Sequence, residues 1–260
     1  MLLSSDPKIQ AFEVDYMEFM KGGANKSYDL AIVDPPYGIG VGTMAYLKEI
    51  KTTVKQKNGK RLNANENKIP YANKKWDSIP PPQKYFEELK RVSVNQIIFG
   101  IDHMDWKGIG KGRIKWNKGV PAGLSFKPYE IAYCSMIDYE IEIPLLWTGM
   151  NQAQSLENPM IQQGNKKLNE KRIHPTQKPV LLYTKLLKMF AKSGFKILDT
   201  HGGSMSIAIA CYNLGFDLDI CEMDADYFKE ATDRVKAHIA KPKGLFTYKE
   251  TMRMEPNKLF

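Results

Sequence analysis

The residues best suited to chemistry in this chain are Asp34-Pro35-Pro36-Tyr37. They follow Leu30-Ala31-Ile32-Val33, an apolar run that reads as a buried β-strand. A carboxylate, a stiff backbone carbonyl and an aromatic ring therefore leave one strand end together. In open α/β sheets, ligands bind beyond that end of the strands. The set suits gripping a planar base. Asp34 and the Pro35 carbonyl can accept hydrogen bonds from an exocyclic amine, and Tyr37 can stack on the ring. Proline fixes φ and so keeps the carbonyl aimed. The plainer alternative is a Pro-Pro loop that only ends a strand.

A second constellation spans residues 196–222. Lys196-Ile197-Leu198-Asp199 reads as a strand running into Thr200-His201-Gly202-Gly203-Ser204. A helix through Asn213 and a strand Gly215–Cys221 follow, with Glu222 at the end. Strand, glycine turn, helix, strand and acid make a βαβ unit. Small turn residues let a ligand approach the backbone, and the helix start offers free N–H groups. An acid ending the second strand accepts hydrogen bonds from ribose hydroxyls, so Glu222 points to a nucleoside cofactor. The turn matches neither G-x-x-x-x-G-K-[ST] nor G-x-G-x-x-G. Nicotinamide cofactors and ATP are thereby disfavoured, and a ribose without phosphate fits better. His201 can stack on such a cofactor, hydrogen-bond it, or pack within the turn.

The elements that must position these groups alternate along the chain. Strands are expected at Phe12–Tyr16, Tyr28–Val33, Gln96–Ile101, Ile114–Asn117 and Ile131–Ser135, the last within a hairpin from Phe126. Helices are expected at Met17–Met20, Gln83–Arg91, Pro179–Lys192 and Asp224–Ile239. The fold class is α/β: a Rossmann-like, doubly wound, mostly parallel sheet with one antiparallel strand. Trp76, Trp106 and Trp116 are read as packing residues.

The 260 residues allow one large domain or two small ones, and no run approaches a membrane span. The start of the sequence has no signal-peptide pattern, and the three cysteines lack zinc-ligand spacing, so a reduced, cytoplasmic protein is expected. The net charge of +9 is concentrated. Residues 48–75 carry nine Lys/Arg against two Glu, and residues 165–192 carry eight against one. Such clustering suits a polyanion partner, or lysine-rich loops that keep the protein in solution.

With these motifs in hand, the chain resembles the amino-methylating DNA methyltransferases of the class usually called beta. Asp34–Tyr37 matches their catalytic motif, Asp199–Ser206 their glycine motif and Glu222 their ribose-binding acid. His174-Pro175-Thr176-Gln177-Lys178-Pro179 looks like the segment preceding the glycine motif, and Asp15 like the acid that faces the cofactor's adenine. The resemblance implies S-adenosylmethionine as cofactor, no metal, and Asp15, Lys178, Asp199, His201, Gly202, Gly203, Ser204 and Glu222 around it. Lys178 would reach the cofactor's carboxylate or adenine, or else be a solvated lysine in a helix-capping turn. Thr200, His201 and Met205 depart from the family's usual Asp-Pro-Phe-x-Gly-x-Gly, with Met205 at a glycine position. Its side chain would narrow the cofactor pocket or face the helix packing.

The implied activity is methyl transfer to N6 of an adenine flipped out of double-stranded DNA. Aspartate at the first motif position favours adenine, because the cytosine-N4 enzymes more often carry serine there. No Pro-Cys nucleophile for C5-cytosine chemistry is present. A cytosine-N4 enzyme, an RNA adenine methyltransferase and a non-catalytic DNA-binding relative are the alternatives. The expected division is a catalytic half, 1–137, with a basic loop at 43–78; a target-recognition insert, 138–172; a cofactor half, 173–240; and a basic tail, 241–260. Trp147, Asn151, Gln152 and Gln154 within the insert are candidate base contacts, or, taken singly, ordinary surface residues. Residues 48–75 and 165–178 are candidate phosphate contacts. Relatives often pair as homodimers.

Overall fold

The strand at Tyr28–Val33 shows why its sequence is apolar without a break. Leu30, Ala31, Ile32 and Val33 are all inaccessible to solvent. Leu30 and Ile32 enter one core, while Ala31 and Val33 enter a second core on the opposite face. A strand covered on both faces needs apolar residues at every position, not at alternate ones.

The computed structural model describes residues 1–40, 53–55, 61–63, 77–121, 127–148 and 151–241. In chain order the elements are β1 (Leu2–Ser5), β2 (Lys8–Glu13), α1 (Tyr16–Lys21), β3 (Tyr28–Val33), β4 (Thr53–Lys55) and β5 (Arg61–Asn63). Then follow α2 (Gln83–Val92), β6 (Ser93–Phe99), β7 (Arg113–Asn117), β8 (Tyr129–Cys134), β9 (Glu140–Pro144), β10 (Trp147–Thr148) and β11 (Asn151–Gln152). The last are α3 (Val180–Phe190), β12 (Lys196–Asp199), α4 (Ser206–Leu214), β13 (Asp217–Glu222) and α5 (Ala225–Ile239).

Nine strands form one sheet in the order β1-β2-β13-β12-β3-β6-β8-β7-β9. β2, β13, β12, β3 and β6 run parallel. β8 is antiparallel to both β6 and β7, β9 is parallel to β7, and β1 is antiparallel to β2. Two strands, β1 and β8, therefore oppose the rest, which corrects the expectation of one. β1 is a Leu-Leu-Ser-Ser segment too short to announce itself by period. The expected hairpin is realised as β7 pairing with β8; residues 122–126 lie outside the described residues.

Helices cover both faces. α3, α4 and α5 contribute to one core, and α1 and α2 to the other. In α2, Tyr85, Phe86, Leu89 and Val92 recur at helical spacing and are fully buried. Asp224 starts α5 by accepting hydrogen bonds from the backbone N–H groups of Asp226 and Tyr227. No helix among the described residues is long and apolar enough to cross a membrane.

The expected insert at 138–172 does not begin outside the sheet. Glu140–Pro144 is β9, the edge strand beyond β7. Trp147 is buried in the main core. Gln152 is buried as well: its amide donates to the Glu170 carbonyl at 2.9 Å and accepts from the Glu170 N–H at 2.7 Å. Both are structural residues here, whereas Asn151 and Gln154 are exposed. Most of the basic loop at 43–78, including Trp76, and tail residues 242–260 lie outside the described residues, although β4 and β5 pair within the loop. Trp116 and Trp106 do pack: Trp116 is 1% exposed, and Trp106 stacks on Phe86.

Candidate active site

β3 and β12 lie side by side in the sheet, yet their following helices go opposite ways. β3 leads through α2 to β6 on one side, and β12 leads through α4 to β13 on the other. α2 and α4 also belong to opposite cores. This is a topological switch point, where the loops beyond the strand ends diverge and leave a crevice. A cavity of about 860 Å³ opens there. Asp34, Tyr37 and Lys178 line one part of it, and His201, Gly202 and Glu222 another.

On the first side the groups are tied together. Lys178 Nζ lies 2.5 Å from Asp34 Oδ1 and 3.3 Å from Glu130 Oε2. It also donates to the Tyr37 hydroxyl at 3.1 Å, while that hydroxyl donates to Asp34 Oδ1 at 2.8 Å. Lys118 donates to Glu130 Oε1 at 3.1 Å. Burial pushes the Asp34 carboxyl above its ordinary range; the Lys178 charge opposes that shift and the Glu130 charge adds to it. Burial also opposes the charge of Lys178, but Asp34 and Glu130 outweigh it and hold the ammonium above the usual lysine range. At Glu130 the two lysines likewise outweigh burial and keep the carboxylate low.

The loop carrying the motif is braced. Asp77 Oδ1 accepts from the Tyr37 N–H at 2.7 Å and from the Gly38 N–H at 3.0 Å. Gly38 is at φ +73°, and a Cβ there would meet Pro80 Cδ at 2.5 Å. The Tyr37 ring stacks on His103 with centroids 5.2 Å apart. It also presses on Gly100, where an added Cβ would lie 2.1 Å from the ring.

The second side is built from backbone. Glu222 accepts from the Gly203 N–H and the Asp224 N–H, each at 2.8 Å and each at a different oxygen. A carboxylate has about four lone-pair sites, more than these backbone N–H groups use. Burial raises the Glu222 carboxyl. Asp199 lies beneath the turn, accepts from the His201 N–H at 2.9 Å, and is pushed up to about 8, chiefly by burial. His201 is half-buried, and desolvation lowers its ring to about 3 and keeps it neutral. Its Nδ1 is 2.9 Å from Thr200 Oγ1, and its Nε2 is buried without a partner among the described residues. A Cβ on Gly202 would come within 3.1 Å of the Cys221 carbonyl oxygen.

Of the residues singled out in the sequence, Asp15, Asp34, Pro35, Pro36, Tyr37, Lys178, His201, Gly202, Gly203, Ser204 and Glu222 all line this one cavity, and Asp199 supports its floor. Asp15 also starts α1, its carboxylate accepting from the Met17 and Glu18 N–H groups. Lys178 is not solvated: its side chain is 3% exposed and set against Asp34, not on the glycine-turn side. The basic stretch 165–178 therefore ends in a charge turned inward, while Lys166, Lys167 and Lys171 are exposed. Met205 is fully buried in the main core and absent from the cavity lining, so it faces the packing. It does so at φ +52°, a left-handed backbone that glycine would adopt without strain. Glu130 and Asp77 went unrecognised in the sequence. Each is an isolated acid in a segment without a motif, joined to the site only by the fold.

The sheet and the crevice at its switch point are those of an α/β fold that binds a ligand beyond its strand ends. A DNA methylase family model matches residues 45–233, and the chain belongs to that family, the N6/N4 DNA methylases. The match begins after Asp34–Tyr37, so that motif stands on its own residues. Among solved structures, the cytosine-N4-specific PvuII DNA methyltransferase shares the fold, with a TM-score of 0.50 and 13% identity over 94% of this chain and 90% of that one. M1.HpyAVI in its SAM complex gives 0.49 and 19% over 87% and 99%. TTHA0409 from Thermus thermophilus, with S-adenosyl-L-methionine, gives 0.47 and 15% over 88% and 95%. No curated protein matches the sequence.

Proposed function

We propose that this protein methylates N6 of an adenine flipped out of double-stranded DNA. The observation that carries the reading is that the Asp34 carboxylate and the Gly202–Glu222 ribose-type cradle open on one cavity. The cofactor is S-adenosylmethionine, and the residues present fit it. Glu222 lines the cavity with acceptor capacity for a ribose hydroxyl, and His201 Nε2 is a buried polar atom lacking a partner among the described residues. When bound, it supplies a sulfonium methyl for in-line displacement, the sulfur leaving as a thioether.

The chain's own part is to orient and to polarise. An adenine N6 lone pair is delocalised into the ring and is a poor nucleophile. Asp34 and the Pro35 carbonyl accept hydrogen bonds from the amino hydrogens and draw the lone pair out of conjugation, and Asp34 is placed to take the proton released. Holding the amine in line with the methyl is worth up to about 7–11 kcal/mol at best. Tyr37 lines the cavity beside Asp34, where its ring can stack on the base. The target must leave the duplex first, at a cost of a few kcal/mol, which exposed lysines such as Lys166 and Lys171 offset through phosphate contacts.

The test is product analysis. Protein, methyl-labelled S-adenosylmethionine and unmethylated DNA are incubated, and the DNA is digested to nucleosides, with Asp34→Ala as control. N6-methyladenine that vanishes in the variant is expected. N4-methylcytosine would keep the mechanism and transfer the assignment to cytosine. Label in RNA alone, or in no nucleic acid, would overturn the proposal.

A further inference from the structure

We propose that Lys178 is the positioning residue of the Asp34 carboxylate, and that Glu130 sets how firmly Lys178 holds it. The inference rests on the reading of Asp34 as the acceptor of the target amine. It departs from the sequence-based placement of Lys178 on the cofactor.

An ammonium group has three donors and, once buried, must satisfy all of them. Lys178 has three acceptors within reach: Asp34 Oδ1, the Tyr37 hydroxyl and Glu130 Oε2. Both hydrogen bonds to Asp34, from Lys178 and from Tyr37, fall on Oδ1. Oδ2 has no partner among the described residues. The carboxylate is thus fixed by one oxygen and offers the other to the cavity. Glu130 competes for the same ammonium and is itself held by Lys118. The four charges balance, so the cluster stays buried without a net charge. Among the described residues, the remaining ionisable groups facing Asp34 are Tyr183 on α3 and Asp199 at the end of β12; each is held above its ordinary range, chiefly by burial, with the Asp34 charge among the causes.

Removing the charge of Lys178 and removing that of Glu130 give opposite results. Without Lys178, a buried carboxylate faces Glu130 with no cation between them and takes up a proton more readily. Without the Glu130 charge, Lys178 serves Asp34 alone and the proton is lost more readily. A purely structural cluster would show no such opposition.

The experiment compares Lys178→Met, Lys178→Arg and Glu130→Gln in the full-length protein by the pH dependence of kcat/KM for DNA. The acid limb should move up by about one pH unit or more in Lys178→Met, a ~10-fold loss on that limb. It should return toward wild type in Lys178→Arg and move down in Glu130→Gln. An unmoved limb in both Lys178→Met and Glu130→Gln overturns the proposal. So does a raised KM for S-adenosylmethionine in Lys178→Met with the limb unmoved, which would put Lys178 on the cofactor. Should Lys178→Met not fold, Glu130→Gln decides alone: a downward limb supports the proposal, and an unmoved or upward limb overturns it. A parallel carboxyl-carbon NMR titration, with the Asp34 signal assigned by its loss in Asp34→Asn, needs no activity. If the wild type methylates no DNA yet this signal titrates higher in Lys178→Met and lower in Glu130→Gln, the positioning stands and the methylation reading falls.

Discussion

The two sides of the cavity solve different problems with different materials. The Asp34 side is made of side-chain charges brought from distant parts of the chain: Asp34 after β3, Glu130 on β8, Lys178 before α3. The glycine-turn side is made mostly of backbone, with Glu222 and Asp199 each accepting from N–H groups close by in the βαβ unit. A side-chain network can be retuned by one substitution, because each member sets the charge state of the next. A backbone cradle resists retuning but fails when its geometry is lost. Catalytic tuning and cofactor binding should therefore separate under mutation.

The largest effect expected is from Asp34→Ala. Methyl transfer should fall by about 10²–10⁴-fold, while calorimetric affinity for S-adenosylmethionine stays within about twofold. Loss of cofactor binding in that variant would break the separation. Glu222→Ala should do the reverse. Removing a charged acceptor typically costs about 1.5–3 kcal/mol, so cofactor Kd should rise by about 10–150-fold. Rate at saturating cofactor should change far less, and an equal fall in both quantities would mean the two sides act as one unit.

Met205→Gly tests the turn itself. It relieves about 1–3 kcal/mol of left-handed strain but leaves a cavity costing about 2–5 kcal/mol, as for other buried methionines. The variant should melt a few degrees lower with unchanged cofactor affinity, since Met205 lies outside the cavity lining. A gain in affinity would show that Met205 does constrict the pocket. The last effect, confined to acid pH, concerns His201. Its ring is depressed from the ordinary 6.5 to about 3, so the stability it contributes is present above 6.5 and is lost as pH falls from there toward 3. The slope should reach at most about 1.4 kcal/mol per pH unit, and chemical denaturation across pH 4–7 should show it flattened in His201→Asn.

The contrast also marks what the sequence could reveal. The glycine turn, Glu222 and the strands around them were legible because they are local: a period, a turn and an acid within one βαβ unit. The Asp34 motif was legible for the same reason. The link between Lys178, Asp34 and Glu130 was not, because nothing in the spacing of these residues says that β8 and the start of α3 meet over β3. The burial of Gln152 is hidden for a related reason. An amide in a polar segment looks the same whether it awaits a base or, as here, closes on the Glu170 backbone. β9 shows the converse. Ile141 and Ile143 alternate with glutamates as an edge strand should, but the segment is short and was absorbed into the expected insert.

An exposed β-edge is a template on which other chains can grow, and natural proteins defend it with charge and proline. β9 presents Glu140 and Glu142 to solvent and closes with Pro144, which has no N–H to offer. The sheet thus carries its own terminator where it would otherwise extend. Two copies of this protein would not associate by zipping these edges together, and replacing the glutamates with valines should turn a well-behaved surface into a seed for precipitation.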